Sequence, residues 1–169
     1  MPKATRIAAL VNPGNASSDE AAQRDLPEAA RAIGVQVQLL NASTSREIEA
    51  AFTAMLRDQA DALLVIPDGF LASRRVQLAT FAARYGIPSA HGSREEVEAG
   101  ALMSYGPDLL EVYRQGGAYT GQILKGSKPA DLPVLQSTKF EFVINMQTAR
   151  LLGIDVPNSI QLLADEIIE

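Results

Sequence analysis

Apolar runs and polar breaks alternate along the chain with the spacing of a strand–helix–strand repeat. Arg6–Val11 (RIAALV) is apolar after its first residue, as a strand buried on both faces requires, and it ends at the dense turn signal Asn12-Pro13-Gly14-Asn15. A helix is predicted next, capped at Ser18, with Asp19 and Glu20 in its first turn and a stop at Gly34. Its apolar stripe is Ala22, Leu26, Ala29, Ala30 and Ile33, and Pro27 inside that stripe predicts a kink or a late start. Val35–Asn41 reads as the second strand. Thr44-Ser45-Arg46-Glu47 fits a capping box ahead of Ile48, Ala51, Phe52, Met55 and Leu56, which recur at helical spacing. Ala62–Ile66 is the most continuous apolar run and predicts a central strand covered by helices on both faces. Pro67 cannot donate to a ladder, so that strand stops and leaves Asp68 and Gly69 on an irregular tip.

The second half repeats the pattern more weakly. Leu71–Tyr85 reads as one helix closed by Gly86, Ile87–Ala90 as a short fourth strand reaching His91 and Gly92, and Ser93-Arg94-Glu95-Glu96 as another capping box. Ala101–Tyr105 is the fifth strand, stopped by Gly106-Pro107, with Pro107 opening a helix to about Lys125. Gly116, Gly117 and Gly121 weaken that helix by roughly 1 kcal/mol each relative to Ala. Gly126–Pro133 reads as a linker, Val134–Gln136 and Lys139–Asn145 as extended segments, and Met146–Leu152 as a last helix ended by Gly153. This alternation predicts an α/β fold, a doubly wound, five-stranded parallel sheet in the order 2-1-3-4-5. Its switch point lies between strands 1 and 3, so the Asn12–Ser18 loop and the Asp68 tip flank one crevice, where open parallel sheets bind ligands.

Composition narrows the function classes. A length of 169 residues and 47% hydrophobic residues suit one domain with a sizeable core. A net charge of −5, with Arg74-Arg75 the one tight basic pair, argues against a nucleic-acid partner. Zero cysteines exclude disulfides and thiol chemistry, and a single histidine argues against a zinc site; no cofactor is expected. No apolar run approaches the ~20 residues of a membrane span. Met1-Pro2-Lys3-Ala4-Thr5 leads straight into a strand without a secretory signal, so the chain as written is expected to be cytoplasmic.

Each candidate has two readings. Asn12, Asn15, Ser17 and Ser18 present amides, hydroxyls and a helix N-terminus to a small anion, or Asn15 fills a turn and Ser18 caps. The loop lacks the spacing of a Walker or G-x-G-x-x-G phosphate loop. Asp68 either accepts from a ligand ammonium or hydroxyl or caps the next helix. His91 reads as a solvated tip residue. Ser104 and Tyr105 end strand 5 at the same edge, where Tyr105 either walls an apolar pocket or is half-buried. A phosphoacceptor receiver needs an acidic pair after strand 1 and a Lys after strand 5, where this chain has Asn12-Pro13 and Tyr105-Gly106. Hydrolase chemistry lacks a G-x-S-x-G elbow around Ser73 or Ser104, and His91 has no orienting acid apparent in the sequence. The residues point to binding without catalysis.

RIAALVNPGNASS, ADALLVIPD, EAGALMSYGPDLLEVYRQGGAYTGQILKGSKPADLPV, KFEFVIN and the ending LLADEIIE resemble, in this order, the substrate-binding proteins of a bacterial ABC-importer family linked to aromatic amino acids. The resemblance implies a type I periplasmic-binding-protein fold of two α/β lobes around a cleft, of which this chain matches the second half. It implies a small amino-acid-like ligand, an ABC permease as partner and a location outside the cytoplasm, and it places Asn12, Asn15, Ser17, Ser18, Asp68, Ser104 and Tyr105 at strand tips facing the cleft. It divides the chain into a lobe (1–106), a crossover helix and extended arm (107–145) and a returning helix and tail (146–169). Without the first lobe the crossover helix is left to pair with a second copy, predicting a homodimer through 107–145. The alternative is a free-standing flavodoxin-like regulatory or interaction module derived from such a protein, without a transport role.

Overall fold

Seven strands form one sheet in the order β2-β1-β3-β4-β5-β6-β7. The computed structural model describes residues 4–135 and 137–169. The first five strands are parallel: β1 (Arg6–Val11), β2 (Gln36–Asn41), β3 (Ala62–Val65), β4 (Ser89–His91) and β5 (Met103–Pro107). Between them run α1 (Ala16–Ile33), α2 (Ser45–Arg57), α3 (Gly69–Ser73), α4 (Arg75–Tyr85) and α5 (Arg94–Glu98). The expected order 2-1-3-4-5 holds, and the sheet continues past it. β6 (Phe140–Asn145) pairs antiparallel with β5, and β7 (Glu166–Ile168) pairs parallel with β6. Residues 140–145 are therefore a sheet strand and not part of an extended arm.

Crossover handedness decides which face is dry. The connections β2 to β3, β3 to β4 and β4 to β5 all step one way along the sheet and, being right-handed, put α2, α4 and α5 on one face. The step from β1 to β2 runs the other way and leaves α1 alone on the second face. The main core lies on the first side, where Ala8, Leu10, Leu63 and Val65 pack against Ile48, Phe52, Met55, Leu71 and Leu78. Phe52 meets Phe81 edge-on at 5.4 Å. For the same reason β3 is not buried on both faces as its sequence suggests: Leu63 and Val65 are buried, while Ala62, Leu64 and Ile66 are half-buried beneath the sparsely covered face.

Several boundaries differ from the sequence reading. Asn15, not Ser18, caps α1, which starts at Ala16 and runs through Pro27, so no late start occurs. Ala22 and Ala30 are buried in α1, but Ala29 and Ile33, which the stripe also included, are exposed. The 71–85 helix is broken at Arg74 (φ −103°, ψ 13°), which ends α3 and precedes α4. Gly34 and Gly86 close their helices in the left-handed conformation (φ 73° and 67°), as their positions suggest. Gly106 and Pro107 do not stop β5; they pair with Glu141 and Phe140, because an antiparallel partner extends the ladder past Tyr105. Gly106 is required there by close approach, since a Cβ would lie 1.9 Å from the Gly92 carbonyl oxygen. Asp108, rather than Pro107, starts α6 (Leu109–Leu124), accepting from Glu111 N–H. Within the linker Pro129–Asp131 forms one 3-10 turn. Val134 and Leu135 are exposed without regular structure, and Gln136 lies outside the described residues. The tail adds α7 (Met146–Leu151), α8 (Asn158–Gln161) and β7.

Candidate functional site

The turn after β1 and the tip after β3 meet, and the meeting point is Asp68. Asn12 follows β1 and its Oδ1 accepts from Gly14 N–H at 2.9 Å, which fixes the amide with Nδ2 directed away from the turn. That Nδ2 donates to Asp68 Oδ1 at 2.9 Å, and Asn15 Nδ2 donates to Asp68 Oδ2 at 3.0 Å. A carboxylate only accepts, so both amides must present nitrogen to it. Asp68 Oδ1 also accepts from the N–H groups of Phe70 (2.9 Å) and Leu71 (3.1 Å), capping α3. Ser18 Oγ donates to Pro67 carbonyl at 3.2 Å and so ties α1 to the same tip. Oδ1 thus carries three donors and Oδ2 one, which leaves acceptor capacity on Oδ2 at the carboxyl edge of the sheet. Burial raises the Asp68 pKa, but the amides of Asn12 and Asn15 and the N–H groups of Leu71 and Phe70 more than offset it, and the group sits below its ordinary value.

Of the sequence candidates, Asn12, Asn15, Ser18 and Asp68 are brought together. Ser17 is exposed in the first turn of α1, beside them but outside the network. Ser104 is buried within β5, behind the edge, whereas Tyr105 is exposed. His91, expected at a solvated tip, is 4% exposed. Its Nε2 lies 3.1 Å from Ser89 Oγ, and its Nδ1 lies 3.4 Å from Glu96 Oε1 without a hydrogen-bonding partner of good geometry. Glu96 is also buried and completes the capping box, accepting from Ser93 N–H and Oγ. Burial raises the Glu96 pKa, and His91 and Ser93 outweigh it, so the group stays below its ordinary value. The orienting acid that the sequence did not reveal is this capping residue, turned inward.

The sequence reading also missed an aromatic ladder. Tyr105 stacks on Phe140 with centroids 5.6 Å apart and meets Phe142 edge-on at 6.4 Å. The alternation Phe140, Phe142, Ile144 was the available signal, and it needed the β5–β6 register to bring Tyr105 alongside. Among the described residues no group of three His, Asp or Glu side chains is placed to hold a metal ion. No described helix is long and apolar enough to cross a membrane.

A family model described as ABC transporter substrate binding protein matches residues 1–168. The tyrosine-binding protein of Clostridioides difficile (strain R20291) is 26% identical over 151 residues, 89% of this chain and 43% of that protein. A solved ABC domain from Streptococcus pneumonia in complex with L-Trp superposes with a TM-score of 0.89 at 28% identity, covering 99% of this chain and 58% of the other. A conserved domain protein from Vibrio cholerae O1 biovar eltor gives the same TM-score of 0.89 at 26% identity, covering 99% and 56%. The chain thus spans about half the length of the relatives it matches.

Proposed function

We propose that this chain, which belongs to the ABC transporter substrate-binding protein family, supplies half of a site for a zwitterionic amino acid. It is a binding protein and not an enzyme. The observation that carries the reading is Asp68: a carboxylate kept ionised by four donors, with one oxygen still able to accept, at the ligand-binding edge of a parallel sheet. The ligand ammonium sits on Asp68 Oδ2, and the ligand carboxylate faces the first turn of α1, where Ser17 and the helix dipole favour an anion. Asn12, Asn15 and Ser18 position these groups, Tyr105 lies two strands away at the end of β5, and Ser104 backs the edge from within β5. The tyrosine and L-Trp named for the relatives support an aromatic amino acid as ligand.

The family supports delivery of that ligand to an ABC permease from outside the cytoplasm, and the exposed α6 supports a homodimer of this chain through 107–145. Half a site binds weakly, with millimolar affinity at best, because closure around both ends of a ligand supplies the rest. Calorimetry with Phe, Tyr and Trp on a chain lengthened to match its relatives tests the reading. Asp68→Ala is expected to weaken binding about tenfold or more, the value of a charge-assisted hydrogen bond. Unchanged affinity removes Asp68 from the site.

A further inference from the structure

Tyr105 is 63% exposed, yet its ring is not free. Phe140 stacks on it with planes 16° from parallel, and Phe142 braces it edge-on at 72°. The β5–β6 register sets Phe142 opposite Tyr105 and Phe140 opposite Pro107, so the rings form a ladder climbing to the carboxyl end of β5. With Met103 and Leu163 they line an open depression of about 540 Å³. The one carboxylate there, Asp165, already accepts from Phe142 N–H at 2.8 Å. The depression is an apolar surface with its aromatic plane fixed in advance, so a flat ligand loses little by ordering it.

Its place in the sheet connects it to the site. Leu64, Ala90 and Met103 are in register across β3, β4 and β5, and Tyr105 lies two residues beyond Met103 on the same face. That is the face of Leu64, opposite the main core and on the side of α1. β3 and β5 are separated by a single strand, a lateral distance of about 10 Å. In the proposed pose, an aromatic amino acid with its ammonium on Asp68 directs its side chain across that interval toward β5.

We infer that Tyr105 and Phe140 form the ring platform of this site, so that they, and not the Asp68 network, select an aromatic side chain over an aliphatic one. The inference rests on the amino-acid reading above. Stacking on a braced pair adds to plain apolar burial, so the platform is expected to favour a ring roughly tenfold over a branched chain of similar size.

Saturation-transfer NMR on the chain lengthened to match its relatives, with L-Phe, L-Trp and L-Leu at millimolar concentrations, separates the possibilities. Phe140→Leu and Tyr105→Leu keep apolar bulk while removing the flat ring, and urea midpoints of both variants show whether the fold is kept. The expected result is that the preference for L-Phe over L-Leu falls about tenfold in each variant, whereas Asp68→Ala weakens both ligands alike. An unchanged preference in both variants overturns the platform and leaves the Asp68 reading standing. No binding of any amino acid to the lengthened, otherwise unaltered chain overturns that reading and the platform with it. Self-association that Phe140→Leu abolishes shows a second copy seated on the rings and overturns the platform.

Discussion

Asp68 caps α3 through Oδ1, and the proposed ligand contact falls to the other oxygen, Oδ2. Asp68→Ala removes a helix cap and leaves the Asn12 and Asn15 amides without their acceptor, which is expected to cost about 1–3 kcal/mol in urea unfolding. The pH dependence follows in sign. The folded pKa of Asp68 is depressed, so its contribution is complete above the unfolded value of about 3.9 and is lost as pH falls through the folded value. The urea midpoint of the unaltered chain is therefore expected to hold steady down to about pH 5 and to drop below about pH 4. Asp68→Ala should flatten part of that drop, and an identical acid limb in the variant removes Asp68 as a cause. Glu96, depressed in the same direction, accounts for a further part. The sequence made Asp68 and the Ser93–Glu96 box legible because each has a local partner. It did not single out Asn15 among the cap-competent residues 15, 17 and 18, since which of them caps depends on where α1 starts against β3. Nor did it show His91 as buried, because that burial comes from a strand end packed under its neighbours.

At the scale of elements, glycines that look alike in the sequence do opposite things. Gly92 and Gly106 lie where strand tips touch: a Cβ on Gly92 would meet Pro67 Cγ at 2.7 Å, and one on Gly106 would meet the Gly92 carbonyl oxygen at 1.9 Å. Gly116 in α6 has nothing within 4 Å of its would-be Cβ. Gly106→Ala is expected to destabilise by about 1–3 kcal/mol or more, since backbone must move, whereas Gly116→Ala should stabilise α6 by up to about 1 kcal/mol. Thermal unfolding followed by circular dichroism compares the two, and equal shifts would refute the close-approach argument. Within β1 to β5 the apolar runs, caps and glycine stops made strand order readable, because each signal is local. The sheet beyond β5 was not readable. β6 returns from a distant stretch and sets its own register with Tyr105, and no periodicity within 139–145 names that partner. The same non-local pairing carried β5 through Gly106-Pro107, which read as a stop.

At the scale of the whole molecule, α6 is a sixteen-residue helix with no buried residue. Leu110 and Leu124 are 73% and 83% exposed, and Tyr113 is similarly open. At 100° per residue Leu110, Tyr113, Gly117, Gly121 and Leu124 fall along one stripe, with the two glycines where a facing helix could approach most closely, while Gly116 lies to one side of it. Fully burying a large apolar side chain is worth roughly 1.5–3 kcal/mol, and three such residues on each of two helices outweigh a modest association cost. The charged groups at the start of the helix are paired among themselves, Glu111 with Arg114 at the border of the stripe and Asp108 with Lys139. In the proposed homodimer two copies lay these stripes together about a two-fold axis, each residue of one facing its counterpart's surroundings in the other. Light scattering at micromolar concentration is expected to return twice the chain mass. Leu110→Glu combined with Leu124→Glu should return a single chain with an unchanged unfolding midpoint for the lobe, because neither side chain is part of its core. A stable, soluble monomer of the unaltered chain at that concentration would refute the dimer.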